Sequence, residues 1–175
     1  MANDSETAIY FITGASGVGK TTLVTQLEER FREMPWAFFH FDTIGVPSLT
    51  EMEMEFGSPS AWQEAKTYEW IDRMLYECTN KKIFLEGQVN LAFIQSGFSK
   101  RNFRNYTIIL LDCSEEEMQE RLTSKRMQPG LFNTDMRNWL RFLRRQAGDL
   151  GVPCIDTGHL SKEEVLKAFV ETIGL

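Results

Sequence analysis

Gly14, Ala15, Ser16, Gly17, Val18, Gly19, Lys20 and Thr21 fit the pattern G-x-x-x-x-G-K-[ST], and no other stretch constrains the fold of this chain as tightly. The pattern works only between a strand and a helix. Its glycines let successive backbone N–H groups turn inward on phosphate oxygens, and the helix that follows aims its positive end at the same anion. Both flanks are present. Ala8–Thr13 is a short apolar run that reads as a buried strand, and residues 20–32 carry Leu23, Val24, Leu27 and Phe31 on one helical face. In such a loop Lys20 reaches the β- and γ-phosphates and the Thr21 hydroxyl ligates Mg²⁺, so nucleotide binding is expected along residues 14–22, Thr22 included.

The rest of the chain repeats this alternation. Runs at 37–42, 83–86, 107–112 and 153–156 read as further parallel strands. Helical stripes lie at 60–77 and 133–146, and Ser60-x-x-Gln63, Ser114-x-x-Glu117 and Ser161-x-x-Glu164 are helix-start signatures. Strand–helix alternation over 175 residues predicts one three-layer α/β domain on a mostly parallel five-stranded sheet, with ligands beyond the carboxyl ends of the strands. No repeat, low-complexity tract or linker interrupts it.

Charge narrows the partners. The net charge of −6 argues against general nucleic-acid binding. Yet residues 100–146 hold ten Lys/Arg against six Asp/Glu, while residues 47–77 hold seven acids against two bases. A basic segment within an acidic protein suits a small anion better than a polyanion. No apolar run is long enough to span a bilayer, and the polar, acidic residues 1–7 do not read as a signal peptide. Cys78, Cys113 and Cys154 are widely spaced and odd in number, so they read as reduced core thiols of a cytoplasmic protein, with no zinc site. His40 and His159 lack metal-ligand partners at useful spacing.

The phosphate motif alone does not choose among GTPases, ATPases and kinases. A guanine-reading N-K-x-D is missing, since residues 80–83 fail at Ile83, and the D-x-x-G at residues 42–45 ends a strand run instead of following a switch loop. A large ATPase machine would need a coupling domain for which the chain has no room.

With these residues in view, the chain resembles the nucleotide kinase-like P-loop phosphotransferases, the superfamily of adenylate, shikimate and gluconate kinases, chloramphenicol phosphotransferase and the zeta toxins. The resemblance covers almost the whole length and implies a P-loop NTPase fold with a short helical lid, residues 121–137, and an acceptor region near residues 45–81. It implies that Asp42 engages the acceptor hydroxyl and takes its proton. Glu86 would hold Mg²⁺ or contact the acceptor, the two carboxylates being partly interchangeable. Gly87, Gln88 and Arg137 join the acceptor side. Arg121 matches an arginine that stacks on adenine, Lys125 or Arg126 the first lid cation on the phosphates, and Thr157-Gly158 the loop that frames adenine. The lid is too short to expect zinc.

The acceptor itself is the open question. Residues 45–81 carry Trp62, Tyr68, Trp70 and Phe56 among acids, with Arg73 and Lys66 the only cations before Lys81. A neutral or cationic hydroxylated acceptor fits this better than a nucleoside monophosphate. The expected function is therefore Mg²⁺/ATP-dependent phosphorylation of a small-molecule hydroxyl. A nucleoside monophosphate kinase and an ATP-binding regulatory protein with little or no turnover are the alternatives.

Overall fold

The computed structural model describes residues 7–79 and 81–175, so the reading of residues 1–6 as polar and unlike a signal peptide, and the contribution of Asn80, lie outside it. Strands β1 (Ala8–Thr13), β2 (Ala37–His40), β3 (Lys82–Gly87), β4 (Tyr106–Asp112) and β5 (Cys154–Asp156) form one all-parallel sheet in the order β2-β3-β1-β4-β5. The helices between them are α1 (Lys20–Arg30), α2 (Leu49–Phe56), α3 (Pro59–Glu77), α4 (Leu91–Lys100), α5 (Glu115–Glu120), α6 (Thr134–Leu150) and α7 (Lys162–Ile173). None is long and apolar enough to cross a membrane.

Strand side chains alternate between two cores, which is why the runs are apolar throughout. Ile9, Phe11, Ile83, Leu85, Ile108 and Leu110 pack under α3, α4 and α6, against Trp70, Ile71, Met74, Ile94, Phe98 and Leu143. Tyr10, Ile12, Phe84, Ile109 and Leu111 face the other way, onto Leu23, Val24 and Leu27 of α1 and Val165 and Phe169 of α7. The result is a three-layer α/β sandwich.

Several boundaries differ from the sequence expectation. Strand β2 stops at His40, and the chain enters a 3₁₀ turn over Phe41–Ile44, because Trp70 Nε1 donates to the Phe41 carbonyl (3.1 Å) and draws the chain towards α3. Asp42 therefore sits on a turn, not at a strand end. Helix α3 is capped by Ser58, not Ser60, with Pro59 at its first position, while Gln63 is used elsewhere. Ser114 caps α5 on Glu117 N, but the Glu117 carboxylate turns to Arg121 (2.8 Å), so only half of that capping box forms. The box at Ser161 forms completely, as does one at Ser48 that opens α2. Helix α4 had no counterpart in the sequence reading. Its core-facing Leu91, Ile94 and Phe98 flank a mid-helix Gly97, which weakens the local helical signal. Of the three free cysteines, Cys78 and Cys113 are buried, whereas Cys154, at the start of the edge strand β5, is exposed and not a core thiol.

Candidate active site

Parallel register brings the ends of β1, β2, β3, β4 and β5 to one edge, with Thr13 beside Gly87, Glu86 beside His40, and Asp112 beside Asp156. The loop from Gly14 to Gly19 rises from this edge. A Cβ on Gly14 would lie 2.5 Å from the Leu111 carbonyl oxygen, so the loop can hug β4 only with glycine there. Lys20, 8% exposed, donates Nζ to the Ala15 carbonyl (2.9 Å). Burial lowers its pKa from 10.5 to about 8; Arg126 adds to the lowering, while Glu86 and Asp42 oppose it. An ammonium has three donors, and this one is desolvated with a single hydrogen bond among the described residues.

Beyond Lys20, the Thr21 hydroxyl donates to Glu86 Oε1 (3.1 Å), and His40 Nδ1 lies 2.8 Å from the same oxygen. Glu86 is 7% exposed, so the carboxylate at this strand end is met by a hydroxyl and an imidazole instead of a lysine or arginine. One hydroxyl and one carboxylate suit Mg²⁺, which keeps several waters and takes its other ligands from substrate phosphates. Among the described residues there is no cluster of three or more His, Cys, Asp or Glu that would make an all-protein cage. Gly87 serves packing more than ligand approach: a Cβ there would come within 2.4 Å of Phe41 Cβ.

Three cavities run along this edge and share residues. The first, about 430 Å³, lies behind the loop and is lined by Gly17, Val18, Gly19, Thr22, Arg121, Lys125, Arg126 and Thr157, with Leu160, Ser161 and Val165 from the start of α7. The second is a narrow waist of about 90 Å³ between Ser16, Lys20, Thr21, Asp42, Glu86, Gly87, Gln88 and Arg126. The third, about 500 Å³, opens between Phe41, Asp42, Trp62, Gln63, Gln88, Asn133, Asp135, Met136 and Trp139. Gly17, Gly19 and Arg126 belong to the first two, and Asp42 and Gln88 to the last two. The three therefore form one groove with Arg126 and Asp42 at its joints. A separate cavity at Ser99, Asn102, Arg104 and Tyr106 lies at the opposite, amino edge of the sheet.

Most residues singled out in the sequence meet here, but not in identical settings. Arg121 is a clamp: its guanidinium donates to Thr157 Oγ1 (2.9 Å), to the Thr157 carbonyl (2.7 Å), to the Gly17 and Val18 carbonyls (each 3.3 Å) and to Glu117 (2.8 Å). Thr157 is buried and donates to Val18 O (2.8 Å), whereas the Gly158 amide is occupied by Asp156 (2.8 Å) and Gly158 does not line the cavity. Lys125 pairs with Glu120 (3.5 Å). Arg137 stands apart from the groove, its guanidinium over Phe132 (5.6 Å) and bonded to Thr134 (3.3 Å). Arg141 and Arg144 are drawn to Glu115 and Asp112. The span 121–137 holds a π-helical turn (Arg121–Lys125), Met127 at φ 53° and a 3₁₀ turn (Pro129–Leu131).

Other groove residues were not singled out as ligands in the sequence. His40 was set aside as a lone histidine, although strand register alone pairs it with Glu86. Gln63 holds the loop after β3 by donating to Gln88 O (2.9 Å) and accepting from Asn90 N (3.0 Å), and Gln146 accepts from Leu91 N (2.9 Å). Asn133, Asp135, Met136 and Trp139 carry no local motif.

A family model described as AAA domain matches residues 11–139. The chain belongs to the AAA domain family. No curated protein matches it. Among solved structures, this AAA domain superposes on a gluconokinase from Sinorhizobium meliloti 1021 with a TM-score of 0.70 at 14% identity, covering 95% of this chain and 91% of that one. It matches the Deinococcus radiodurans tunicamycin resistance protein at 0.65 and 20% identity, covering 97% of each chain. Shikimate kinase from Acinetobacter baumannii in complex with shikimate matches at 0.61 and 15% identity, covering 95% and 92%. At these identities the likeness establishes a kinase-like P-loop fold.

Proposed function

We propose that this AAA domain is a Mg²⁺/ATP-dependent phosphotransferase acting on a hydroxyl group of a small molecule. The observation that carries the reading is the three-part groove, with a buried lysine, an arginine and a carboxylate (Lys20, Arg126 and Asp42) around its narrow waist. The fold shared with a gluconokinase and a shikimate kinase supports it, and the unpaired thiols suit a reducing compartment.

In this reading ATP lies with its base in the first cavity and its phosphates under the glycine loop; Thr21 and Glu86 would hold Mg²⁺, which would supply neutralisation of the phosphate charge. Lys20 and Arg126 concentrate positive charge at the waist, where charge spreads over the transferring group. Asp42 orients the acceptor hydroxyl and accepts its proton. The acceptor oxygen–phosphorus bond forms as the bridging oxygen–phosphorus bond breaks, with the electron pair leaving on ADP. His40 fixes the Glu86 carboxylate. Residues 121–137 act as the lid that excludes water.

The test is ADP release and phosphorus NMR across alcohols, sugars and nucleosides, with Lys20→Ala as control. Acceptor-dependent transfer lost in the control is the expected result. A Lys20→Ala protein that binds and turns over Mg·ATP like its parent would overturn the reading. ATP binding without transfer to any acceptor would favour a regulatory role.

A further inference from the structure

The third cavity carries more than the existence of an acceptor. At about 500 Å³ it has the size of a site for a small organic molecule. Its wall combines aromatic faces, Phe41, Trp62 and Trp139, with amides and two carboxylates, Asp42 and Asp135, and no lysine or arginine lines it.

The two cations of α3 are engaged elsewhere. Lys66 pairs with Glu69 (2.7 Å) and lies over Phe56, while Arg73 pairs with Glu77 (3.1 Å) and lies over Trp70 and Phe39. Arg137 lies over Phe132 and bonds Thr134, with its Nε buried and unpartnered among the described residues, but it does not line this cavity. Arg126 reaches the waist but not this cavity. A phosphate or carboxylate entering here would meet like charge without a counter-ion, and a group taken from water in that setting is strongly disfavoured.

A second observation is independent of charge. The Trp62 side chain, only 6% exposed, lines the cavity, and its indole Nε1 is buried with no hydrogen-bond partner among the described residues. Buried donors in folded proteins almost always have a partner. Trp70, eight positions along the same helix, shows the satisfied alternative, since its Nε1 donates to Phe41 O.

Resting on the phosphotransferase reading, we propose that the acceptor carries no anionic group and presents an apolar or aromatic face to Trp62 and Trp139. The Trp62 N–H donates to one of its oxygens, and Asp135 selects against negative charge. The chemistry is that of an uncharged or amine-bearing alcohol. Nucleoside monophosphates and hydroxy acids are excluded.

The experiment uses pairs that differ by one anionic group: methyl shikimate against shikimate, where every hydroxyl is kept, and adenosine, cytidine and glucosamine against their 5′- or 6-phosphates, read for binding. Tryptophan fluorescence with Mg²⁺ and a non-hydrolysable ATP analogue reads binding, and ADP release reads transfer. Within the pairs that bind, half-saturation should be at least tenfold lower for the member without the anion. Anionic members that bind equally or better overturn the proposal, as does the failure of every uncharged member to saturate. A protein that does not bind the ATP analogue at all would instead sink the phosphotransferase reading.

Two variants sharpen the result. Trp62→Phe keeps the ring and removes the N–H; it should weaken the uncharged acceptor about tenfold and leave the KM for ATP unchanged. Asp135→Lys changes an exposed side chain in the first turn of α6, so it tests the charge argument even if Trp62→Phe fails to fold. It should narrow or invert the preference within each pair. Unchanged preference in Asp135→Lys would refute the selection by charge.

Discussion

The two ends of the groove are built differently. On the side proposed for the nucleotide the groove is main chain, or side chains tied to main chain: Lys20 on Ala15 O, Thr157 on Val18 O and Asp112 O, and Arg121 across Gly17, Val18 and Thr157. Backbone amides and one buried cation recognise phosphate whatever it is attached to. On the side proposed for the acceptor the wall is side chains from a 3₁₀ turn and the starts of α3 and α6, whose shape and charge would decide what enters. Damage on the first side should abolish the reaction; change on the second should redirect it.

The largest effect is expected at Lys20. Lys20→Met should cut turnover by about 10³–10⁵, the scale a transition-state cation supplies in phosphoryl transfer. It should also stabilise the nucleotide-free protein. The unfolded lysine keeps its proton up to about 10.5 and the folded one only to about 8, so unfolding takes up a proton between those values and parent stability rises with pH across that window. The gap corresponds to about 3 kcal/mol of penalty at pH 7. Urea melts of parent and Lys20→Met from pH 7 to 10.5 should differ most at pH 7 and converge at the alkaline end. A constant difference would remove the buried cation from the account.

Asp42→Asn tests the joint between the two sides. It should slow transfer by about 10²–10⁴, the usual scale for a lost general base, while ATP affinity stays within a few-fold. Calorimetry for ATP and transfer rates for an acceptor read the two separately. Loss of ATP affinity alone would hand the acceptor role to Glu86.

How much of this could be read from sequence follows the same division. The glycine loop is eight consecutive residues whose pattern needs that order and that strand–helix setting, so the motif and the sheet around it were legible. Asp42 reads from sequence as the end of a strand but sits on a 3₁₀ turn, because the bond from Trp70 that ends β2 is long-range. The third cavity was not legible. Trp62 and Trp70 sit on the same helix in the same kind of apolar stripe, yet one satisfies its N–H in the core and the other leaves it unpaired beside a cavity. Trp139 and Asp135 reach the cavity only through the packing of α6, which no local spacing encodes.

Arg121 is expected to show an intermediate effect, on the nucleotide side. Its guanidinium joins the loop, the end of β5 and Glu117 with little exposure, so Arg121→Ala leaves several partners unsatisfied. A loss of about 2 kcal/mol in stability is expected, with ATP affinity falling roughly tenfold as the wall of the first cavity loosens. Arg121→Lys keeps the charge but not the fork, and should recover less than half of the loss. Full recovery by lysine would mean that charge alone holds this wall.

The smallest effect is expected at Arg73, and it discriminates most sharply between acceptor classes. Arg73 is the arginine that a monophosphate-binding acceptor segment would use. In the structure its guanidinium lies 5.0 Å from the Trp70 ring centre and 5.7 Å from that of Phe39, with Glu77 as its ion-pair partner, on the outer side of α3. An exposed i,i+4 pair and a cation–π contact together contribute no more than about 1 kcal/mol to stability. Arg73→Ala should therefore lower stability by less than that and leave the acceptor KM within about twofold. The paired measurement is a melting curve beside acceptor saturation kinetics with an uncharged substrate and with its phosphorylated counterpart. A KM for the phosphorylated counterpart that rises tenfold while stability holds would show Arg73 swinging into the cavity on binding. The contrast between a cation-rich nucleotide side and a cation-free acceptor side would then have to be abandoned.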